Sequence, residues 1–172
     1  IKNHNSAVIE FADLRRFAQR VHGLLQHEEQ ERQKELQHLP EEQVTIAELF
    51  ADPFPQIFYS SVVIADCILL EQHVEGIADT LKHAAGLRLD FADLRGSLIQ
   101  RFRKYSYDVL RLEFDLSDAD WDEIAGLYQL RNCLVHAAGR VDSQPIREFA
   151  ARWNIAIEED RILLHQDDTI KL

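Results

Sequence analysis

The chain has 172 residues, of which 46% are apolar and 28% are charged, and its formal net charge is −11. This composition is typical of a soluble domain long enough to bury a core, and no apolar run approaches the roughly 18 to 20 residues that span a bilayer. The acidic balance argues against broad electrostatic affinity for nucleic acid but leaves room for a local basic site.

The two cysteines and the start of the chain bear on compartment and completeness. Cys67 and Cys133 lie inside predicted helices without metal-type spacing, so we expect two buried thiols in a reducing, cytoplasmic compartment. The histidines show no HExxH spacing, and we expect no metal and no cofactor. The chain lacks methionine and begins with Ile1, which indicates a fragment or a missing start; no secretory signal is recognisable.

The first part of the chain is predicted to be helical. A long helix is expected to begin after Asn5 or Ser6 and to run to about Gln37, with apolar residues at helical spacing in its early half. Residues 26–37 are almost wholly polar, which predicts a solvated arm or a surface that covers a partner. A short helix over residues 41–50 should follow.

The next helix, predicted over residues 56–87, is the candidate for the centre of the core, and Gly86 marks its end. One stripe of this helix is expected to face that core: Ile57, Ser61, Ile64, Ile68, Glu71 and Glu75. A further helix is predicted over residues 90–112, where Gly96 and Ser97 weaken the pattern without ending it.

The remaining elements have recognisable ends. Ser117 is expected to cap a helix in a capping box with Asp120, and Gly139 should stop it. A last short helix follows Ser143, and alternation over residues 154–165 predicts a β-hairpin. We therefore expect one domain over the whole chain, with an all-α fold: a bundle of four principal helices plus short helices, and a small C-terminal hairpin.

An arginine lies in the middle of an apolar stripe near the end of the capped helix. At about 100° per residue, Arg131 shares one face with apolar neighbours, namely Ile124, Leu127, Tyr128, Leu134, Val135 and Ala138. A guanidinium stays charged and is almost never buried unpaired. Arg131 therefore has a carboxylate partner inside the protein, or this face is a cleft or interface. His136 follows, and histidine titrates near neutrality.

The stretch LRNCLVHAAGRV (residues 130–141) resembles the Arg-x4-His signature of the HEPN superfamily (higher eukaryotes and prokaryotes nucleotide-binding). The resemblance implies a metal-independent endoribonuclease of a defence, stress or toxin–antitoxin system. It also implies an RNA substrate, a homodimer with two copies of the motif at its cleft, and an antitoxin or other protein partner. Other members of the superfamily have lost the motif and serve as binding modules.

The resemblance assigns roles to individual residues. The 2′-OH of RNA would attack its own phosphorus, with His136 as general base or acid and Arg131 bracing the phosphate. Asn132 would orient the imidazole or hold the sugar–phosphate. From the residues themselves, Glu71 beside the apolar stripe of its helix is the candidate partner for Arg131, ahead of Asp66 on the opposite face. Arg140, just past the helix, is a candidate second phosphate contact.

Helical geometry constrains this site. Residues five apart lie about 140° apart around a helix, so Arg131 and His136 point different ways, whereas Asn132 and His136 share a face. Three solutions are open: the helix distorts near its end, the long arginine side chain reaches round to the histidine side, or two subunits each contribute part of the site.

Other readings of the same residues stay open. Arg131 can be a structural ion pair and His136 a complement to the negative end of its helix, in an unrelated bundle. A non-catalytic helical module that binds a protein or nucleotide is the alternative function. Residues 87–112 carry a net charge of +3 (six basic residues against three aspartates) and form a solvated face or a substrate-facing patch beside the Arg–His site.

Overall fold

The computed structural model describes residues 2–40, 43, 54–112 and 114–164. Within these ranges there are five α-helices: α1 (Lys2–Leu36), α2 (Phe54–Ala85), α3 (Leu98–Lys104), α4 (Asp118–His136) and α5 (Gln144–Arg152). A 3-10 turn (Phe91–Asp93) precedes α3 and a π-helical turn (Tyr105–Val109) follows it. The strands β1 (Ala156–Glu158) and β2 (Arg161–Leu163) form an antiparallel hairpin. The predicted all-α fold with its small hairpin is confirmed; the short helix predicted over residues 41–50 lies outside the described residues, apart from Gln43.

Helix α2 is central, because both α1 and α4 pack against it. His22 of α1 lies against Tyr59, and Phe11 lies against His73, so α1 and α2 run antiparallel. On another side, the hydroxyl of Tyr128 in α4 donates a hydrogen bond of 3.2 Å to the carbonyl of Cys67. Two apolar clusters share α2. One includes α5 and the hairpin, and the other includes α3 and the start of α4.

The stripe of α2 predicted to face the core lies on the solvent side instead. Ile57 is 57% exposed and Ile68 is 41% exposed, while the buried positions are Phe58, Tyr59, Val62, Val63, Cys67, Val74 and Ala78. The prediction was wrong because α2 is apolar on nearly all sides, so periodicity alone does not select a buried face. The packing of α1 and α4 selects it, and it leaves an apolar stripe uncovered.

By length and composition alone, α2 is long and apolar enough to cross a membrane. It is the only one of the described helices that meets this test. The core helix of a soluble protein passes the same test. In this fold α2 contributes buried side chains to both apolar clusters, as a core helix does.

The single helix predicted over residues 90–112 is divided. Asp90 caps the 3-10 turn, and the chain is then extended at Leu94. Gly96 has φ +124°, a conformation that side chains strongly disfavour, and Ser97 begins α3 in a reciprocal capping box with Gln100. The Gly-Ser pair is therefore a helix boundary and not merely a weak point within a helix.

The predicted ends of α4 and the predicted hairpin are confirmed. Ser117 and Asp120 form the expected capping box. Past His136 the chain turns, and the N–H of Gly139 donates a hydrogen bond of 3.0 Å to the carbonyl of Cys133. Glu159 and Asp160 have φ +46° and +60°, as in a two-residue turn whose twist matches an antiparallel pair.

Gln56 fastens the hairpin to the start of α2. Its side-chain amide donates a hydrogen bond of 3.1 Å to the carbonyl of Ile162. Its side-chain oxygen accepts a hydrogen bond of 2.9 Å from the N–H of Leu164. These two hydrogen bonds give the hairpin a fixed position beside the chain that leaves α4.

Candidate functional site

Helix α4 stays regular through His136, so the motif is displayed on an undistorted helix. Asn132 and His136 are exposed and line the same surface groove, as their four-residue spacing predicts. Arg131 is half-buried and does not line that groove with its neighbour. The helix therefore presents the motif on two sides.

The guanidinium of Arg131 is hydrogen-bonded to its neighbour Asn132, which lines the groove. Its Nη1 donates a hydrogen bond of 3.0 Å to Oδ1 of Asn132. Its Nε is buried and has no hydrogen-bond partner among the described residues. Of the three solutions left open by the sequence, helix distortion is absent over the described motif, and the arginine side chain bonds to Asn132 without lining the groove of His136. A composite site from two subunits is not represented in a single chain.

Glu71 and Arg131 do not form an ion pair in the described part of the chain. Both nevertheless act electrostatically on Cys67 and Tyr128, so they lie in one neighbourhood. Glu71 is half-buried at the edge of the exposed stripe of α2, and the expected pairing with Arg131 is not formed there. The hypothesis that Arg131 forms an ion pair with Glu71 inside the chain is therefore not supported. The hypothesis that Arg131 lies in a cleft or an interface stays open.

The buried groups next to Arg131 are structural. Burial raises the pKa of the Cys67 thiol to about 12, against the lowering effect of Arg131. Burial also raises the pKa of Tyr128, whose hydroxyl donates to the Cys67 carbonyl. Neither group ionises near neutral pH, so neither is suited to proton transfer. Both cysteines are free, and Cys67 is the fully buried one.

The groove beside His136 has a volume of about 500 Å³. We call it the motif groove and define it by Asn132, His136, Arg140, Asp142, Ser143 and Ile146. It combines the end of α4, the following loop and the start of α5. Ser143 is the N-cap residue of α5, but its side chain accepts no backbone N–H bond there. The start of α5 thus has no side-chain cap, and Pro145 in its first turn contributes no N–H.

Backbone pairing with the hairpin holds the groove loop in place. The N–H of Val141 donates a hydrogen bond of 2.7 Å to the carbonyl of Asp160. The N–H of Ile162 donates one of 2.8 Å to the carbonyl of Gly139. The carbonyl of Arg140 also accepts the thiol of Cys133 at 2.9 Å. Arg140, predicted as a supporting residue, therefore projects from a fixed backbone.

Arg161 is the residue that the sequence did not single out. It forms an isolated antiparallel bridge with Arg140, and residues paired in this way have side chains on the same side. Both arginines are exposed, and neither has an ion pair within the described ranges. The structure thus places Arg161 beside Arg140, which lines the motif groove, with Glu158 opposite Arg161 in the hairpin and Asp142 in the groove lining. Only the position of the hairpin brings the two arginines together, so no sequence signal marks the pair.

The basic segment lies away from this groove. Arg103 pairs with Asp118 at the start of α4, and its guanidinium also covers the ring of Trp121. His136 is at the other end of this 19-residue helix, about 27 Å away at 1.5 Å per residue. The reading of residues 87–112 as a patch beside the Arg–His site is therefore wrong for the single chain, since α3 packs against the opposite end of α4.

Within the described ranges, no group of three or more His, Cys, Asp or Glu side chains is placed to hold a metal ion. Comparison of the chain with protein-family models, curated proteins and solved structures found no match. The resemblance to the HEPN superfamily therefore rests on the motif at residues 130–141 and stays a prediction.

Proposed function

We propose that this protein is a metal-independent endoribonuclease of the HEPN type that cleaves RNA at the motif groove. The observation that carries the proposal is that His136, Asn132 and Arg140 line one groove, while the guanidinium of Arg131 is hydrogen-bonded to Asn132. A general acid–base group, an amide and two cations are the parts that phosphodiester transfer requires.

The reaction can be written with these residues. The 2′-oxygen of a ribose forms a bond to the adjacent phosphorus, and the bond from phosphorus to the 5′-oxygen of the next nucleotide breaks. His136 accepts the proton of the 2′-OH or gives one to the leaving 5′-oxygen. The products are a 2′,3′-cyclic phosphate and a free 5′-hydroxyl, and no water or metal takes part as a nucleophile or Lewis acid.

The cations would stabilise the charge that builds up on the phosphate. Arg131 is tied to the groove lining by its bond to Asn132, and Arg140, with Arg161 opposite it, would supply a further cation at one edge. Two adjacent cations suit a polymer with regularly spaced phosphates better than a single small anion. RNA as substrate therefore fits a chain whose overall charge is −11, because the favourable charge is local.

A homodimer is part of the proposal, and the exposed stripe of α2 supports it. Ile57 and Ile68 on α2 and Val135 on α4 are each more than 40% exposed. Val135 follows Arg131 by one turn on the same face. A second copy packed on this surface would cover the isoleucines, supply groups near the unpartnered Nε of Arg131, and bring two copies of His136 towards one cleft.

The cellular setting follows from the resemblance alone. A cytoplasmic RNase of a defence, stress or toxin–antitoxin system would be held inactive by an antitoxin or other protein partner. The two cysteines, free in the described structure, are compatible with a reducing compartment.

Cleavage of RNA in EDTA by the wild type and by His136→Ala, with analysis of the product ends, tests the proposal. We expect 2′,3′-cyclic phosphate ends from the wild type only. His83→Ala is the matched control, since His83 is exposed at the far end of α2. Cleavage that persists in His136→Ala, or products with other ends, would contradict the proposed chemistry.

The second candidate function is a non-catalytic interaction module of the same fold. The end of α1 favours it: residues 26–35 are almost entirely exposed, and ion pairs between residues three apart link their side chains. Such an arm suits a protein partner. A folded dimer that binds a partner through this arm and never cleaves RNA would establish this function instead.

A further inference from the structure

A cavity of about 450 Å³ separates the middle of α1 from α2. Its walls include Phe11, Arg15 and Ala18 from α1, and Phe58, Val62 and Asp66 from α2. Residues 11, 15, 18 and 22 follow helical spacing, so one face of α1 looks into the space. The cavity is of the size in which proteins hold small organic ligands, and its walls are mainly apolar.

Asp66 is the chemical anomaly of this cavity. Its carboxyl is half-buried, and it has no hydrogen bond or ion pair with any residue that the structure describes. Burial raises the pKa of this carboxyl. A carboxylate held against apolar walls is costly unless a donor pairs with it.

The other polar groups of the cavity do not satisfy Asp66. Arg15 lines the same space but is exposed, and it lies beyond ion-pair distance of the carboxylate. At one end, Nδ1 of His22 lies 3.0 Å from the hydroxyl of Tyr59, so these two groups already satisfy each other. The unmet requirement inside the cavity is therefore a hydrogen-bond donor, preferably a charged one, beside an apolar body.

We propose that the cavity between α1 and α2 binds a small organic cation, in which an aliphatic or aromatic body fills the apolar walls and an amine or amidine head pairs with Asp66. Charge-assisted hydrogen bonds to a carboxylate are short and strong in a partly dry site. Phe58 and Phe11 offer ring faces and edges to the body of the ligand.

This site is separate from the motif groove. Asp66 lies on the side of α2 that faces α1, whereas Cys67 and Glu71 lie towards α4 and Arg131. The two sites share no lining residue. The proposal therefore does not depend on ribonuclease activity, and its failure would leave the proposed function untouched.

Titration of the ¹⁵N-labelled chain with 3-phenylpropylamine and with its neutral counterpart 3-phenyl-1-propanol, followed by NMR, tests the proposal. We expect saturable binding of the amine, shifts at the amides of Ala18, Val62 and Asp66, and affinity for the alcohol weaker by about tenfold or more. Asp66→Asn should reduce the affinity for the amine to that for the alcohol.

Two further variants make the result decisive. Ala18→Leu fills the cavity and should weaken both probes, whereas Asp13→Asn removes an exposed carboxylate of α1 that pairs with Arg16 and should change neither. Equal affinity for amine and alcohol, unchanged amine binding in Asp66→Asn, or shifts confined to other parts of the chain would overturn the proposal. Preferential binding of 3-phenylpropionate would also overturn it, since that anion would select Arg15.

Discussion

Nη1 of Arg131 and Oδ1 of Asn132 are joined by a hydrogen bond of 3.0 Å between adjacent residues of one helix. The two side chains begin on different faces of α4, and this bond links the guanidinium to a residue that lines the same groove as His136. In the proposed site Asn132 is a positioning residue, because it holds the guanidinium of Arg131 and lines the same groove as His136.

Asn132→Ala should lower RNA cleavage by about tenfold to a hundredfold, since a displaced guanidinium braces the phosphate poorly. The loss should appear in kcat more than in KM, because the contact strengthens as charge builds up on the phosphate. Steady-state kinetics on a defined oligonucleotide measure both. Glu123→Ala, at an exposed position of α4 that does not line the groove, is the control that should retain activity. Equal losses in the two variants would contradict a specific role for Asn132.

Ile68→Glu should abolish both dimerisation and cleavage without unfolding the chain, because Ile68 lies on the exposed stripe of α2 and not in its core. Ile77→Glu is the matched control: Ile77 is 44% exposed on the same helix, about 180° away from Ile68. Sedimentation velocity and circular dichroism give mass and helix content. A monomeric wild type with full activity would show that the stripe has another role.

The two cysteines should react very differently with a thiol reagent. Cys67 is fully buried and burial raises its pKa to about 12, so its thiolate is scarce and inaccessible. Cys133 is only half-buried, although burial raises its pKa as well. We expect one labelled thiol per folded chain and two after unfolding. Mass spectrometry of Cys133→Ser should then show a native chain without label.

Local signals predicted much of this fold, and tertiary relationships escaped them. The capping box at Ser117 and the turn at Gly139 depend on neighbours in sequence, so both were correctly expected. Which face of α2 is buried depends on where α1 and α4 pack. Because α2 is apolar on nearly all sides, its sequence pattern does not favour one face over another. Arg161 enters the site only through its bridge to Arg140, and the missing ion pair of Glu71 likewise depends on the position of one helix beside another.

The pH dependence of stability should report on Asp66. Its pKa is raised by burial, so the folded protein binds this proton more tightly than the unfolded chain. The cost of the ionised carboxyl is absent below the unfolded pKa of about 3.9 and grows as the pH rises through the folded pKa. Arg15 and His22 face it from α1, and both stay unchanged in the variant.

Asp66→Asn should therefore be more stable than the wild type at pH 7, by about 1 kcal/mol or less because the group is only half-buried and partly screened. The difference should shrink towards pH 4. Urea unfolding over this range measures it, with Asp13→Asn as the exposed control. A variant that is less stable than the wild type at pH 7 would show that the carboxylate has a stabilising partner.

Two glycines in helix interiors should respond in opposite ways to alanine. At Gly126 in α4 an added methyl group would overlap the ring of Phe149 in α5, whereas at Gly76 in α2 it would meet nothing within 4 Å. Gly76→Ala should stabilise the protein by about 0.5 to 1 kcal/mol, because glycine is a poor helix former. Gly126→Ala should destabilise it by about 1 to 3 kcal/mol, since the contact between α4 and α5 must open.

Thermal unfolding of both variants measures these changes in stability. Stabilisation of both would mean that α5 does not pack closely on α4. Because α5 also forms one wall of the motif groove, Gly126→Ala should lower RNA cleavage as well, while Gly76→Ala leaves it unchanged.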